Sequence, residues 1–355
     1  MAAKRLVDRI AGSPARSALG QVRRQLGFAA SVALGRPFDV CVQVTNRCTM
    51  QCDFCGFWSL GGDPRSELTL RDYLRVSDEL AELGSFLVSL EGGEPTLRED
   101  FPEIVAAFSR HHLPVVYTNG WTMDDALASA LFGAGLTQAG VSIDYPDAER
   151  HDARRHAPGA FERAWAAVRA LRDAAPRAGA QVHVMTVLMR DNQRDLEPLL
   201  ELSARERVGH QVTLVSPGRA IDDGRRPLLP EPPLSARLLG LRRRHRHLAT
   251  FREYLARVDD FLTGAPMPPC RVGGQMFNIG AAGDVTPCNE RLSWVAGNVG
   301  AGPIGAIHAR LREMRDAEVA GCRGCWQLCR GFSHVLGGGG SLAGWIDLST
   351  RMSSR

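Results

Sequence analysis

Three cysteines, Cys48, Cys52 and Cys55, stand in a CxxxCxxC spacing directly after an apolar, strand-like run, Phe38–Thr45. A 4Fe–4S cubane takes one ligand per iron, and cysteine thiolate is its usual ligand. Three thiols therefore leave one iron open to bind a substrate or cosubstrate. Phe54, between the last two cysteines, is expected to shield such a cluster on one side. The competing readings are a structural zinc knuckle and a set of buried thiols. Structural zinc usually takes four Cys or His ligands in pairs, and no histidine lies near this loop. The spacing favours iron–sulfur chemistry.

Further groups suited to a charged small molecule recur after successive apolar runs. Glu91-Gly92-Gly93-Glu94-Pro95 joins glycines, which let a backbone approach a ligand closely, to a carboxylate that could meet an ammonium group. Thr118-Asn119-Gly120 follows, then Ser142-Ile143-Asp144, His151-Asp152, Arg154-Arg155 and Pro158-Gly159-Ala160-Phe161. Singly, each has a plainer explanation: Ser, Thr, Asn and Asp at such turns usually cap backbone N–H groups.

Taken with the cysteine loop, the series resembles the radical S-adenosylmethionine (radical SAM) enzymes, over about residues 38–220. The resemblance implies that the open iron is chelated by the amino and carboxylate groups of the methionine moiety of S-adenosyl-L-methionine. A reduced cluster in that family cleaves the sulfonium to a 5′-deoxyadenosyl radical, which abstracts hydrogen from substrate. By the same resemblance Gly92, Gly93, Glu94 and Pro95 hold the methionine amino group, and Thr118 and Asn119 lie near the cosubstrate. Ser142, in a segment that also brings Asp144, and a downstream arginine contact its carboxylate or ribose. Arg155 is preferred over Arg154 for that arginine. Asn192 and Ser216-Pro217-Gly218-Arg219-Ala220 resemble family positions more weakly.

A second group comprises Cys270, Cys288, Cys322, Cys325 and Cys329, with Gly283 between the first two and a CxxCxxxC run at the end. The layout resembles the SPASM or twitch extension of radical SAM enzymes, which carries auxiliary 4Fe–4S clusters, but with fewer cysteines than a full SPASM domain. One auxiliary cluster on Cys270, Cys288, Cys322 and Cys325 leaves Cys329 spare, or Cys329 displaces one of the CxxC pair. Tetrahedral zinc is the alternative. Some dehydrogenating relatives place a proton-removing aspartate after the cysteine that matches Cys288. Here Asn289 and then Glu290 follow, so Glu290 is carried as the candidate general base. Cys41 falls outside both patterns and reads as a buried small hydrophobe.

The elements that must position these groups alternate. Strand-like runs at Phe38–Thr45, Phe86–Leu90, Pro114–Thr118, Gln138–Ile143, Gln181–Leu188 and Gln211–Val215 flank helix-like runs at Leu70–Leu83, Asp100–Arg110, Asp124–Phe132, Ala160–Ala174 and Asp195–Arg205. The pattern predicts an α/β fold, a partial (βα)6 TIM-like barrel, with every motif at the C-terminal end of a strand. A Pro/Arg-rich linker and helix is expected over 221–266, a small Cys-rich module with a β-hairpin over 267–335, and a flexible Gly-rich tail over 336–355.

Composition agrees with a folded enzyme: 355 residues, 44% hydrophobic and 23% charged, net charge +4. No secretion signal or membrane-length apolar run stands out, so the clustered cysteines read as metal ligands rather than disulfides, and the cytoplasm is the expected compartment. Residues 1–37 carry Lys4, Arg5, Arg9, Arg16, Arg23, Arg24 and Arg36 against the single acid Asp8. Leu19, Val22, Leu26, Ala29 and Ala33 fall at helical spacing there. That stripe suits docking on the protein's own body, the favoured reading, or peripheral contact with an anionic membrane. The basic run Arg242–Arg246 lacks interleaved aromatics, so no nucleic acid is expected; it suits an acidic flavodoxin or ferredoxin that reduces the cluster. Two substrate classes remain open, a peptide side chain or a small-molecule or lipid-linked intermediate. The roughly 37 residues before the barrel are short for a leader-binding domain. The basic N-terminus and reduced cysteine count lean toward the second class.

Overall fold

The computed structural model describes residues 18–176, 180–216, 228–319 and 321–339. Six parallel strands lie in sequential order: β1 (Asp39–Thr45), β2 (Leu87–Gly92), β3 (Leu113–Thr118), β4 (Gln138–Ser142), β5 (Gln181–Leu188) and β6 (Gly209–Leu214). Helices α2 (Leu70–Leu83), α3 (Phe101–Ser109), α4 (Asp125–Gly133), α5 (Ala148–Arg155), α6 (Ala160–Ala174) and α7 (Leu196–Arg205) connect them. This is the expected partial barrel. Alternation along each strand separates two environments. Val40, Val42, Val88, Leu90 and Val184 face the helices and join Tyr73, Leu80, Phe108 and Leu171 in the main core. Asp39, Cys41, Ser89, Glu91, Gln181 and Gln211 face inward, into a cavity.

Local chemistry explains the element ends. Thr69 and Asp72 form a capping box that starts α2, each side chain bonding the other's backbone N–H. Asp124 and Asp147 cap α4 and α5 by accepting from Leu127 N and Arg150 N. The Asp152 carboxylate accepts from Gly159 N and Phe161 N at 2.6 and 2.8 Å, which sets the start of α6. The plain capping explanation of His151-Asp152 is therefore the structural one.

The C-terminal module continues the same sheet. Strand β7 (Met276–Ile279) pairs parallel with β1, Asp39 opposite Met276 through Val42 opposite Ile279. It then forms the expected hairpin with β8 (Asp284–Thr286), which pairs with β9 (Gly297–Asn298). Helices α8 (Ser235–Arg244), α9 (Arg252–Ala256) and α10 (Val258–Thr263) form the linker region, and α11 (Ile304–Met314) and α12 (Leu328–His334) follow the hairpin. Next to α12, Gln327 closes the open side of the barrel against β6, donating to Leu214 O at 2.6 Å while Leu328 N donates to Thr213 Oγ1. Leu238 and Leu241 of α8 pack with Tyr254 and Trp326 in a second core, so α8 is docked rather than exposed as expected.

The N-terminal helix α1 (Ala18–Ala33) also departs from expectation. The stripe assigned to docking faces outward: Leu19 is 79% exposed, Leu26 65%, and Val22, Ala29 and Ala33 are exposed as well. The other flank is the docked one. Arg24, Ser31 and Val32 are buried, Ser31 Oγ accepts from Ser85 N at 3.0 Å, and Phe28 meets Phe38 edge-on. Gly27 makes this possible, because its Cα lies where a Cβ would stand 3.1 Å from Ser85 Cβ. Among the described residues no helix is long and apolar enough to cross a membrane.

Candidate active site

The cysteine loop leaves β1 and is pressed against the end of β2. Gly93 N and Glu94 N donate to Thr45 O and Arg47 O, both at 2.8 Å. A Cβ on Gly92, where φ is 134°, would lie 2.2 Å from Thr45 O, and one on Gly93 2.1 Å from Arg47 O. The paired glycines are thus demanded by two backbones in contact. Cys48, Cys52 and Cys55 pack in one cluster with Met50, Phe54, Tyr145, Ala160 and Met189. Burial pushes the Cys48 and Cys52 thiols up to about 11 and about 12, against the opposing charge of Arg155. Bare thiolates are disfavoured there, and a metal centre would supply the missing positive charge.

Glu94 is fully buried and organises the turn beyond β3. Oε1 accepts from Thr96 Oγ1 at 2.5 Å and from Thr118 Oγ1 at 2.7 Å; Oε2 accepts from Asn119 N at 2.7 Å. Burial raises its pKa above the ordinary carboxylate value, against these bonds. Asn119 Nδ2 then donates to Thr49 Oγ1 at 3.1 Å and approaches the Cys48 sulfur at 3.8 Å. Gly92 and Gly93 line the cavity, but Glu94 and Pro95 do not. The carboxylate expected to meet an ammonium is committed to protein donors instead.

Arg155 and Arg154, adjacent in sequence, part company. Arg154 pairs with Asp53 and Asp191 at the surface and bonds the Tyr145 hydroxyl. Arg155 is buried, lines the cavity, pairs with Asp144 at 2.5 Å and lies over the Phe54 ring. Burial works against its charge, but Asp144 and the Cys52 and Cys48 thiols more than offset that and raise its pKa. Arg155 Nε is buried without a partner, a donor left for an anion such as a carboxylate. Ser142 lines the cavity as expected. Asp144 does not; it accepts from Val187 N at 2.9 Å and anchors Arg155. Asn192 is a turn residue, its Oδ1 accepting from Met189 N. Ser216 lines the cavity, while Pro217-Gly218-Arg219-Ala220 lies outside the described residues.

The cavity, of about 710 Å³, runs from the cysteine loop down the barrel interior. Asn289 and Cys329 of the C-terminal module complete its wall. Behind them a smaller pocket collects Cys270, Cys288, Cys322, Cys325 and Cys329 around Trp294, Arg291 and Arg330. Burial raises the thiols of Cys270, Cys288, Cys325 and Cys329, Cys288 to about 12, and the Arg330 charge partly opposes it at Cys270 and Cys325. Five sulfurs therefore surround one pocket, and Cys329 alone among them also faces the large cavity.

Glu290, the candidate base, lies on the wrong side of this wall. It lines the smaller pocket and its carboxylate meets Ser216 Oγ, whereas its neighbour Asn289 lines both that pocket and the large cavity. The carboxylate that does face the cavity beside Asn289 is Glu91, which accepts from Asn289 Nδ2 at 3.0 Å. Cys41 is buried as expected, but it also lines the cavity and packs with Cys270, Cys288 and Cys329. Sequence reasoning missed both. The signal was present in period 2: Asp39, Cys41 and Gln43 on β1, and Ser89 and Glu91 on β2, are polar where a parallel strand buried on both faces is normally apolar.

Glu94→Ala strands the Thr118 hydroxyl and the N–H of Asn119 and leaves the Thr96 hydroxyl with Thr122 as its partner. It should cost about 3 kcal/mol and loosen the cysteine loop. Melting of the variant should fall well below the parent, with reduced iron retention; an unchanged melting temperature would sink this account of the turn.

Comparison with known proteins agrees with this geometry. The radical SAM superfamily matches residues 42–203, and the SPASM iron–sulfur cluster-binding domain matches residues 270–326. The mycofactocin maturase of Mycobacterium tuberculosis is 29% identical over 317 residues, 84% of this chain and 78% of that protein. The PqqA peptide cyclase of Granulibacter bethesdensis is 30% identical over 166 residues, 46% of this chain and 43% of that one. Among solved structures, anSMEcpe with bound AdoMet superposes with a TM-score of 0.61 at 18% identity, covering 78% of this chain and 82% of the other. Streptococcus suis SuiB bound to precursor peptide SuiA gives 0.60 at 16% identity, covering 82% and 68%. With cysteine loop, barrel and auxiliary pocket placed as described, the chain belongs to the radical SAM superfamily and carries a reduced SPASM-type iron–sulfur module.

Proposed function

We propose that Cys48, Cys52 and Cys55 hold a 4Fe–4S cluster, and that S-adenosyl-L-methionine lies against it in the upper cavity. The observation that carries this reading is the convergence of three thiols, the Gly92-Gly93 backbone and the unpartnered Arg155 Nε on one end of a single cavity. When bound, the cluster and cosubstrate supply a 5′-deoxyadenosyl radical that takes hydrogen from a substrate. The protein's own residues do the rest. Arg155, fixed by Asp144, orients the methionine carboxylate, and Ser142 lies beside it. Phe54 and Met50 keep water from the cluster. Asn119, held by Glu94, positions the loop at Cys48. The amino group meets the strand end at Gly92 and Gly93.

The auxiliary 4Fe–4S cluster falls to Cys270, Cys288, Cys322 and Cys325, with Cys329 at the face toward the substrate. Its place behind the cavity wall suits electron transfer to or from the substrate. A peptide segment is the substrate class we favour, because the relatives include a maturase and a peptide cyclase and a neighbouring structure binds a precursor peptide. The free thiols are in keeping with the cytoplasm.

Two contacts accompany this reading. Arg243, Arg244 and Arg246 are exposed beside α8, whereas Arg242 turns inward to Thr250 O. That face suits an acidic flavodoxin or ferredoxin, so Arg243→Glu with Arg246→Glu should slow turnover with the protein reductant and spare turnover with dithionite. Equal loss with both reductants would count against docking there. The outward stripe Leu19, Val22 and Leu26, within a basic N-terminal segment, suits an anionic membrane surface. Co-sedimentation with phosphatidylglycerol vesicles should fall on Leu26→Asp; absence of binding by the parent protein removes this contact.

The central test is 5′-deoxyadenosine release from anaerobically reconstituted protein given dithionite and S-adenosylmethionine. Release should exceed that of Cys48→Ala by at least about a hundredfold, roughly the 3 kcal/mol by which an open, correctly held site differs from a broken one. Zinc-loaded protein that cannot retain iron would overturn the assignment.

A further inference from the structure

Below the cysteine loop the cavity reaches the N-terminal ends of the strands, where Asp39, Leu87, Leu113, Thr137 and Thr250 line it. Polar groups are set into a largely apolar lining: Ser89 and Glu91 on β2, Gln138 on β4, Gln181 on β5, Gln211 and Thr213 on β6. Three buried acceptor atoms on these walls have no donor, namely Asp39 Oδ1, Gln211 Oε1 and Asn289 Oδ1. Asp39 is only 4% exposed and Asn289 5%, and Gln211 is half-buried. Leaving such groups unpaired is costly. The unpartnered donor on the cavity wall is Arg155 Nε, at the cysteine-loop end. Among the described lining residues Arg155 is also the one cation, while Asp39 and Glu91 are carboxylates. The deep end therefore has neutral amide and hydroxyl donors but, among the described residues, no cation beside Asp39.

We propose that the deep end is a subsite for an ammonium group of the substrate, with Asp39 as its counter-ion and Gln211 and Asn289 accepting from donors further along the ligand. The inference rests on the reading of this cavity as the substrate chamber. Asp39 stands opposite Leu87, four residues below Glu91 on the neighbouring strand, and at about 3.3 Å per residue the two levels are about 13 Å apart. A ligand that presents a C–H near the cysteine loop and reaches Asp39 is thus extended, with its amine well removed from the reacting carbon. Burial, reinforced by the charge of Glu91, raises the Asp39 carboxyl to about 8. An entering ammonium would displace that proton and supply a countercharge to Asp39 and Glu91.

The test uses anaerobically reconstituted protein and three probes of one length: cadaverine, 1,5-pentanediol and glutarate. Isothermal titration should show binding of cadaverine alone. Asp39→Asn should weaken it by about tenfold or more, the effect expected when a hydrogen bond to a charged group loses its charge. Gln211→Leu, a second variant, should weaken it less. Equal binding of the diol or of glutarate, no binding of cadaverine, or parent affinity in Asp39→Asn would each overturn the subsite. If Asp39→Asn does not fold, the comparison of the three probes on the parent protein decides. Iron content and 5′-deoxyadenosine release from the same preparation report separately on the radical SAM reading. Normal release without preference for the amine sinks the subsite alone.

Discussion

The upper barrel hangs on one buried carboxylate. Glu94 joins the end of β2 to the turn after β3 through Thr118 and Asn119, and Asn119 passes that connection to Thr49 and Cys48. A glutamate without water must find several donors to be tolerable, and here each donor belongs to an element bearing part of the site. Desolvation thus acts as a positioning device. The turn cannot move without stranding the carboxylate, and the cysteine loop cannot move without losing Asn119. The glycines before Glu94 serve the same end from the backbone side, since any side chain at Gly93 would collide with Arg47 O.

A second buried charge follows the same logic with the opposite outcome. The Arg155–Asp144 pair is enclosed, and a buried ion pair seldom adds net stability over apolar packing. Its Asp144 end is satisfied by Val187 N, while its arginine end keeps Nε unmet and facing the cavity wall. The asymmetry identifies which end belongs to the protein and which to a ligand. Arg154, one residue away, spends its donors on Asp53, Asp191 and Tyr145 at the surface. Helix α5 produces the separation, because neighbouring residues on a helix point about 100° apart.

Much of this was legible in the sequence. Helices α2 and α6 occupy the residues that periodicity assigns them, and all six barrel strands fall where apolar runs predict. Helix α5 was not legible, because AERHDARR shows little apolar stripe and its helicity comes from the Asp147 cap and tertiary contacts. The orientation of α1 was misjudged for a related reason. Its larger aliphatics mark a stripe, yet small and aromatic residues, Gly27, Ser31, Val32 and Phe28, fit the shallow surface beside Ser85 and Phe38. Hydrophobic spacing reports a face, not what covers it. Adjacency to Cys288 points to Glu290, but the chain turns at Asn289 and Glu290, and a turn's side-chain directions are not legible from spacing.

The auxiliary module is part of the barrel rather than an appendage. Strand β7 extends the sheet from β1, and Gln327 with α12 closes the gap beyond β6, so the large cavity has walls from both regions. One consequence follows from that shared wall. Thiols of the two cysteine groups reach one cavity, Cys48, Cys52 and Cys55 at its upper end and Cys329 at its side, which places any bound molecule between them. The inward face of the strands also departs from barrel interiors, which branched aliphatics usually fill. Asp39, Glu91, Gln138, Gln181 and Gln211 stand there instead, within an otherwise largely apolar lining, and a buried wall tolerates such a row of polar groups only where hydrogen bonds satisfy it.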